Sequence, residues 1–348
     1  MAEISINNRA IGSGHPVYII AEMSANHGQD FDRAVGTIEA AKMAGADAVK
    51  IQTYTPDTLT IPCDNEYFRI KGTIWEGRTL YDLYGEAYTP WEWQPRLKEI
   101  ADRLGITLFS TPFDATAVEF LEGLNVPAHK VASFELVDLA LLERIGATGK
   151  PVIMSTGMAS LAEIDEAVAT LRRAGVGGIA LLKCTSAYPA QVEDMNLRTI
   201  PHLAEAFGVV AGLSDHTTGL AAPVAAVALG ASIIEKHFTM DRAAGGPDSA
   251  FSLEPHEFAA MVAAVRETEQ ALGRVCYEPS AAEEKSRAFR RSLFVVEDVL
   301  AGEPFTKDNV RSIRPGQGLP PRCLDLVLGR RATRDIARGT PLGWGVVG

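Results

Sequence analysis

Short apolar runs alternate with longer amphipathic stretches along most of the chain. Eight of these runs are rich in Val, Ile and Leu and are predicted to be β-strands: residues 17–23, 48–53, 107–110, 130–133, 152–155, 179–183, 209–213 and 233–237. Strands that are apolar on both faces are typical of a parallel sheet that helices cover on each side. The pattern therefore predicts the α/β class.

Amphipathic helical patterns lie between these strands. The clearest predicted helices cover residues 31–44, 161–173, 220–229 and 255–272. Glycine, which readily takes the left-handed conformation of a helix end, follows several helical stretches, at Gly45, Gly105, Gly175, Gly230 and Gly273. Eight strand–helix repeats predict a closed (β/α)₈ TIM barrel, although periodicity alone also permits an open doubly wound sheet.

Two segments depart from this rhythm. Residues 56–90 hold a cluster of aromatic and charged side chains, and they are predicted to form a long loop on the catalytic face. After Gly273 the composition changes to a charged stretch and then to short strand-like pieces with turns. We therefore predict a barrel over residues 1–275, a linker over 276–290 and a small β-rich domain over 291–348.

Composition excludes several function classes. With 33 basic and 44 acidic residues the formal net charge is −11, which disfavours nucleic acid or an anionic membrane surface as a partner. No apolar run is long enough to span a bilayer, and no secretory leader is recognisable. The four cysteines are far apart, without a CxxC pair, so reduced thiols and a cytoplasmic location are expected.

Functional residues of a barrel enzyme gather just after the strands, at their carboxyl ends. Those positions hold an unusually polar set: Glu22, Lys50, Gln52, Thr111, Lys130, Ser133, Glu135, Ser155, Ser186, Tyr188, Ser214, His216 and His237. Lysine inside an apolar strand is costly unless it is paired. Lys50 and Lys130, with the nearby serines, could bind a phosphate and a carboxylate; the alternative is a salt-bridged lysine that plugs the barrel.

Two histidines follow neighbouring strands. His216 and His237 could together bind one divalent metal, with Glu22 reaching it directly or through water, or each could be an ordinary core histidine. Two protein ligands would leave coordination positions open for Lewis-acid activation of a substrate oxygen. Glu135 and Asp248 are candidate acid–base carboxylates, and Asp248 could equally be a turn residue because it follows Gly245-Gly246-Pro247.

Longer motifs around these positions resemble the sialic acid synthase family over nearly the whole chain. They are IIAEMSANH (19–27), AGADAVKIQTYTPDTLT (44–60), HKVASFE (129–135), STGMA (155–159), LKCTSAYPA (182–190), GLSDHT (212–217) and EKHFT (235–239). FRRSLFV (289–295) and IRPGQGLPP (313–321) are similar to the antifreeze-like (SAF) domain of these synthases.

The resemblance implies a reaction in which phosphoenolpyruvate condenses with an N-acylated amino sugar and phosphate is released by C–O cleavage. It assigns phosphoenolpyruvate to Lys50, Lys130, Ser133, Ser155, Ser186 and Ser214, and Mn²⁺ or Mg²⁺ to His216 and His237. It places Glu22, Gln52, Thr111, Tyr188 and Asp248 against the sugar. It also implies a domain-swapped homodimer in which Arg314 binds the acyl sugar of the partner's barrel. Glu135 or Asp248 would manage the water and hydroxyl protons.

Three stretches are similar to one branch of the family: SANH (24–27), IKGTIWEGRTLYDLYGEAYTPWEW (70–93) and DSAFSLEPHEF (248–258). That branch implies 2,4-diacetamido-2,4,6-trideoxy-L-altrose as the sugar. The alternatives are the N-acetylneuraminate and legionaminate branches. A metal-dependent barrel hydrolase or a carbohydrate-binding barrel without activity are further alternatives, and the paired lysines and histidines count against both.

Overall fold

A computed structural model describes residues 2–348. The chain divides into two compact units, the first ending at Gly273 and the second running from Arg274 to Gly348. In the first unit, eight parallel strands close into a barrel in the order β10-β3-β4-β5-β6-β7-β8-β9. They are β3 (Tyr18–Glu22), β4 (Ala48–Thr53), β5 (Thr107–Pro112), β6 (His129–Val131), β7 (Pro151–Ser155), β8 (Gly178–Cys184), β9 (Val210–Asp215) and β10 (Ile233–His237). The predicted TIM barrel is confirmed, and the open sheet is excluded.

Helices connect successive barrel strands. They are α1 (Phe31–Met43), α2 (Pro56–Leu59), α3 (Leu80–Ala87), α4 (Gln94–Leu104), α5 (Ala115–Gly123), α6 (Leu139–Gly146), α7 (Leu161–Ala174), α8 (Thr199–Phe207), α9 (Ala221–Ala228) and α10 (Pro255–Leu272). Local chemistry sets their ends: Ser160 and Glu163 form a capping box at the start of α7, and Gly175 ends that helix in the left-handed conformation.

The segment 56–90 was predicted to be a loop, and this was wrong in part because it contains α2 and α3. The Thr79 side chain accepts a hydrogen bond from the backbone N–H of Asp82 and so caps α3. An aromatic-rich sequence with weak periodicity hid this short helix. The residues between α2 and α3, including Trp75, form turns and loop as predicted.

An N-terminal hairpin was not predicted. It consists of β1 (Glu3–Ile6) and β2 (Arg9–Gly12), which pair antiparallel. Asn7 and Asn8 both take positive φ, as a two-residue hairpin turn requires, and this Asn-Asn pair between alternating residues was the available signal. Ile4, Ile6 and Ile11 are buried in one cluster with the apolar residues of the barrel interior.

Alternation along each strand separates two environments. The helix-facing residues join a large core that includes Ile19, Val49 and Leu213, whereas Ile20, Phe109 and Leu182 belong to the interior cluster with the hairpin. Because successive side chains point to opposite faces, the charged residues near the strand ends are also divided between the interior and the helix layer.

The second unit has its own small apolar core, which includes Leu293, Phe305 and Val327. Its strands β11 (Ser292–Val295) and β12 (Val310–Ile313) pair antiparallel, and α12 covers Leu324–Val327. The segment predicted to be a linker contains a short helix, α11 (Ala281–Ser286). None of the helices in residues 2–348 has the length and apolar character needed to cross a bilayer.

Candidate active site

The carboxyl ends of the barrel strands bring the predicted polar residues together inside the barrel mouth. Lys50 of β4 is at the centre of one group. Its Nζ lies 2.8 Å from Glu22 Oε2 and 3.6 Å from Glu235 Oε1, and it donates to Thr111 Oγ1 at 3.2 Å. Burial opposes the charged form, but the two carboxylates outweigh burial and raise the pKa of Lys50. Lys50 is therefore a charged, buried lysine.

Lys130 of β6 belongs to a less compensated environment. Its Nζ donates to Ser155 Oγ at 2.7 Å and to the Val131 carbonyl at 2.8 Å. Burial lowers the pKa of Lys130, and the negative charge of Glu235 only partly opposes this effect. An anionic substrate would stabilise the charged form of this ammonium group.

Two serines and a glycine lie close together just after β6, β7 and β8. The backbone N–H of Gly157 donates to Ser133 Oγ at 3.0 Å. A Cβ at position 157 would collide with the hydroxyl groups of both Ser133 and Ser186. Glycine at this position lets the two hydroxyls lie close together, and because the Gly157 N–H donates to Ser133 Oγ, the Ser133 hydroxyl hydrogen is left to donate to an anion such as phosphate.

Glu235 was missing from the predicted site, although it lies two residues before His237 on the same strand face. Its side chain is buried near both lysines, and Ser214 Oγ donates to its Oε1 at 3.4 Å. Burial raises the pKa of Glu235, but Lys130 and Lys50 together lower it below the ordinary value. Its Oε2 atom is buried without a hydrogen-bond partner among the described residues. Period-two alternation back from His237 was the signal that could have found it.

His216 and His237 lie next to each other, with ring centroids 5.3 Å apart. His216 Nδ1 lies 2.9 Å from the Thr185 carbonyl oxygen and donates to it, which leaves Nε2 as the ring nitrogen that can act as a metal ligand. His237 is neutral because burial, followed by His216, holds its pKa well below the usual range. Its buried Nδ1 has no hydrogen-bond partner within residues 2–348. Burial opposes the charged form of His216, but the neighbouring Cys184 side chain raises its pKa, so a divalent metal would have to displace a proton from His216, whereas His237 is ready as a neutral ligand.

No cluster of three or more His, Cys, Asp or Glu side chains suited to a metal occurs in the part of the chain that the structure describes. The two-histidine donor set considered from the sequence as a metal site therefore stays a prediction. Such a set leaves coordination positions for substrate oxygens rather than forming a closed structural site.

Gln52 and Asp248 connect the centre of the site to the chain after β3. Gln52 Nε2 donates to Glu22 Oε1 and to Ser24 Oγ, both at 2.9 Å. Asp248 accepts hydrogen bonds from the Ser24 hydroxyl and from the backbone N–H of Ala25. Burial raises the pKa of Asp248. Asp248 is thus a turn residue whose carboxylate also points into the site.

Glu135 lies just after β6 in a single 3₁₀ turn, Glu135–Val137. Burial raises its pKa to about 7. Its Oε2 is buried with no hydrogen-bond partner in the described chain. A carboxyl group with a pKa near neutrality can accept and return a proton at physiological pH.

Tyr188 packs against one of the two histidines, His216. Its ring lies 4.5 Å from the ring of His216, measured between centroids. Arg314 belongs to the second unit, directly after β12, and its side chain is exposed. Within the barrel, the structure thus collects the predicted lysines, serines, histidines and carboxylates at one end.

Comparison with known sequences decides the family. The profile of the NeuB family matches residues 37–277, and that of the SAF domain matches residues 290–346. The chain belongs to the NeuB family. The SAF match gives the second unit the antifreeze-like character predicted from its motifs.

Relatives within the NeuB family are similar over almost their whole length. The chain is 46% identical to the pseudaminic acid synthase of Helicobacter pylori over 94% of this chain and 96% of the relative. It is 36% identical to the N,N'-diacetyllegionaminic acid synthase of Legionella pneumophila over 96% and 95%. The crystal structure of N-acetylneuraminic acid synthetase from Leptospira borgpetersenii, in complex with citrate, superposes with a TM-score of 0.73 at 35% identity, covering 82% of this chain and 94% of that one.

Proposed function

We propose that the protein is a pseudaminic acid synthase. It would condense phosphoenolpyruvate with 2,4-diacetamido-2,4,6-trideoxy-L-altrose and water to give pseudaminic acid and phosphate. One observation carries this proposal. Two lysines and four serines lie beside two histidines at the carboxyl ends of the strands. We call the lysines and serines the lysine–serine cradle: Lys50, Lys130, Ser133, Ser155, Ser186 and Ser214. The 46% identity to a relative with this named activity supports the choice of sugar.

Phosphoenolpyruvate fits the cradle because its two anionic groups need two cationic partners. Lys50 and Lys130 would hold these groups, with Ser133, Ser155, Ser186 and Ser214 donating hydrogen bonds. Binding would give Lys130 the negative partner that it only partly has in the free site. Lysines already positioned in a buried site can also stabilise charge that develops on the departing phosphate, without reorganisation at the moment of reaction.

His216 and His237 would hold the divalent metal, Mn²⁺ or Mg²⁺. When bound, this ion supplies Lewis-acid polarisation of the sugar aldehyde. The His216 contact to the Thr185 carbonyl orients the ring, and burial of His237 keeps it neutral. Removal of divalent ions should therefore abolish phosphate release, and the comparison of Mn²⁺ with Mg²⁺ would identify the preferred ion.

The sugar would lie between the metal site and the carboxylates. Glu22, Gln52, Thr111, Tyr188 and Asp248 are the proposed sugar contacts, with Thr111 close enough to Lys50 to serve both substrates. Glu135, whose pKa is about 7, is the proposed base that takes the proton of the attacking water. Asp248 is held by Ser24 and Ala25 and is the proposed partner of the sugar hydroxyls.

The proposal also includes a homodimer in the cytoplasm. Arg314 would reach the acyl sugar in the barrel of a second copy, for which its exposed position in the SAF domain leaves it available. The four cysteines are free thiols, as a reducing compartment favours.

The deciding experiment measures phosphate release from phosphoenolpyruvate with Mn²⁺ and each of two sugars. We expect release with the diacetamido altrose sugar, no release with N-acetylmannosamine and loss of activity with EDTA. Release with N-acetylmannosamine would keep the NeuB family and overturn the sugar. Release with neither sugar would overturn the synthase proposal.

A further inference from the structure

Trp75 connects two segments that are far apart in the sequence. It lies in the stretch between α2 and α3, and its indole Nε1–H donates to the Pro247 carbonyl at 2.8 Å. Pro247 directly precedes Asp248, whose carboxylate is part of the site. The indole is therefore attached to the turn that carries a site carboxylate, and the side chain is half-buried.

The indole also completes a row of rings that begins at the histidines. Tyr188 stacks on His216 at 4.5 Å, and Trp75 lies 5.6 Å from Tyr188 on the side away from the metal site. Phe251 packs behind this row, 4.9 Å from His237 and 6.5 Å from Trp75. Phe251 is fully buried, whereas Tyr188 and Trp75 are both half-buried, so Trp75 is the outermost ring of the row that a substrate can reach.

The order of these rings predicts which part of the sugar meets the indole. The aldehyde carbon must lie at the histidines for the proposed reaction. An extended six-carbon chain with C–C bonds of about 1.5 Å reaches about 6 Å from C1 to C6. The far end of the sugar would thus pass Tyr188 and arrive next to Trp75.

We propose that Trp75 is a specificity-determining residue that favours a sugar whose far end is a methyl group, that is, a 6-deoxy sugar. This inference rests on the proposed function. An indole face gains contact with a methyl group, but a hydroxyl at C6 would lose water there, because the only N–H of the indole already bonds Pro247. Rejection of an added hydroxyl by an apolar wall is modest, on the order of 10–100-fold.

The test compares two sugars that differ only at C6: 2,4-diacetamido-2,4,6-trideoxy-L-altrose and its 6-hydroxy counterpart. The quantity measured is the ratio of their kcat/KM values. A loss of folded or active enzyme cancels in this ratio because both values come from one preparation. The wild type should prefer the 6-deoxy sugar by about 10–100-fold. Trp75→Gln should bring the ratio to within about threefold of one, since a polar amide can bond the extra hydroxyl.

Two further variants give matched controls. Trp75→Phe keeps an apolar ring without the bond to Pro247, and we expect it to keep most of the preference. Tyr67→Ala removes a highly exposed aromatic side chain from the same segment, and it should leave the ratio unchanged. The KM for phosphoenolpyruvate should stay the same in all three variants.

The outcomes separate this inference from the proposed function. A wild type that shows no preference at C6, or a Trp75→Gln variant that keeps the full preference, overturns the role of Trp75 while the synthase activity stands. If both Trp75 variants are inactive with both sugars, this also counts against the proposed role of Trp75, because a selectivity residue is not required for the chemistry. A wild type that is inactive with the 6-deoxy sugar overturns the proposed function itself.

Discussion

Two lysine–carboxylate clusters are buried in the same barrel, and they differ in how completely their polar atoms are paired. On the helix-facing side, Lys236 Nζ lies 2.5 Å from Asp215 Oδ2 and also donates to the carbonyl and hydroxyl oxygens of Thr217. Asp215 accepts two further hydrogen bonds, from the backbone N–H and the hydroxyl of Thr217. Both charged side chains are fully buried, and this outer cluster is complete without a ligand.

The inner cluster is Lys50, Glu22, Glu235 and Lys130. Lys130 lacks a carboxylate within ion-pair distance among the described residues, and Glu235 Oε2 has no hydrogen-bond partner there. Unpaired buried polar atoms cost free energy, and a ligand that pairs them recovers it. A buried lysine on a strand is therefore not evidence for a site by itself. Lys236 and Asp215 satisfy each other, whereas Lys130 has no carboxylate partner and Glu235 keeps an unpaired oxygen among the described residues.

The largest expected effect comes from the inner cluster. Lys130→Met should lower kcat/KM for phosphoenolpyruvate by about 10³-fold, since it removes a positioned cation from the charge that develops on phosphate. Its thermal midpoint should fall little or rise, because burial already disfavours the ammonium form. Steady-state kinetics and calorimetry on one preparation measure both. A large loss of stability with near-normal kcat/KM would contradict a functional role and would make Lys130 a structural residue.

The outer cluster should respond in the opposite way. Lys236→Met leaves the Asp215 carboxylate buried and unpaired, which should cost about 3–5 kcal/mol of unfolding free energy. Activity per folded molecule should be largely kept. Denaturant unfolding tests this, and the double variant with Asp215→Asn should recover part of the loss. If the double variant recovers nothing, the pair is not the source of the effect.

Glu135 is a third buried group with an unpaired oxygen, and it should titrate during turnover. Its pKa of about 7 predicts that kcat/KM rises with pH up to about 7 and then levels, since the base must be ionised. Glu135→Gln should lose about 10²-fold in kcat and flatten this rise. Kinetics between pH 5.5 and 9 measure the profile. If the rise of kcat/KM with pH is unchanged in the variant, a group other than Glu135 is responsible for it.

The same pKa predicts a stability difference with a defined sign. The folded-state pKa is raised above the ordinary value near 4.5, so folding favours the protonated form. This stabilisation is fully present below about 4.5 and is lost as pH rises through about 7. Glu135→Gln, which stays neutral, should therefore gain stability relative to the wild type as pH increases, and melting at pH 4.5 and 8 would show it.

The smallest effect concerns a residue outside the barrel. Arg314→Ala should raise the KM for the sugar by about tenfold, the loss of one charge-assisted contact, and should leave the KM for phosphoenolpyruvate nearly unchanged. Equal effects on both KM values would contradict sugar binding by Arg314. They would indicate that sugar binding does not need this arginine. Arg322→Ala, in the same unit, is a matched control.

Much of the fold could be predicted because barrel strands and helices carry strong local patterns. The strands over residues 48–53 and 233–237 and the helix over 255–272 have the predicted bounds. The hairpin of β1 and β2 and the helix α3 were missed, because each is short and takes its stability from packing on other segments. The site residues were proposable by position, since parallel strands bring their carboxyl ends to one face.

Local patterning alone specifies which residues alternate between the two faces of each strand, because the period of two is a property of the chain segment itself. It could not decide that Lys50 and Glu235 share the interior while Lys236 and Asp215 pair outside it, since this depends on closure of β10 against β3 and β9. Nor could it bring Trp75 to Pro247, 172 residues away. Contacts between distant segments follow from tertiary packing. The incompletely paired inner cluster and the accessible ring of Trp75 both depend on such contacts.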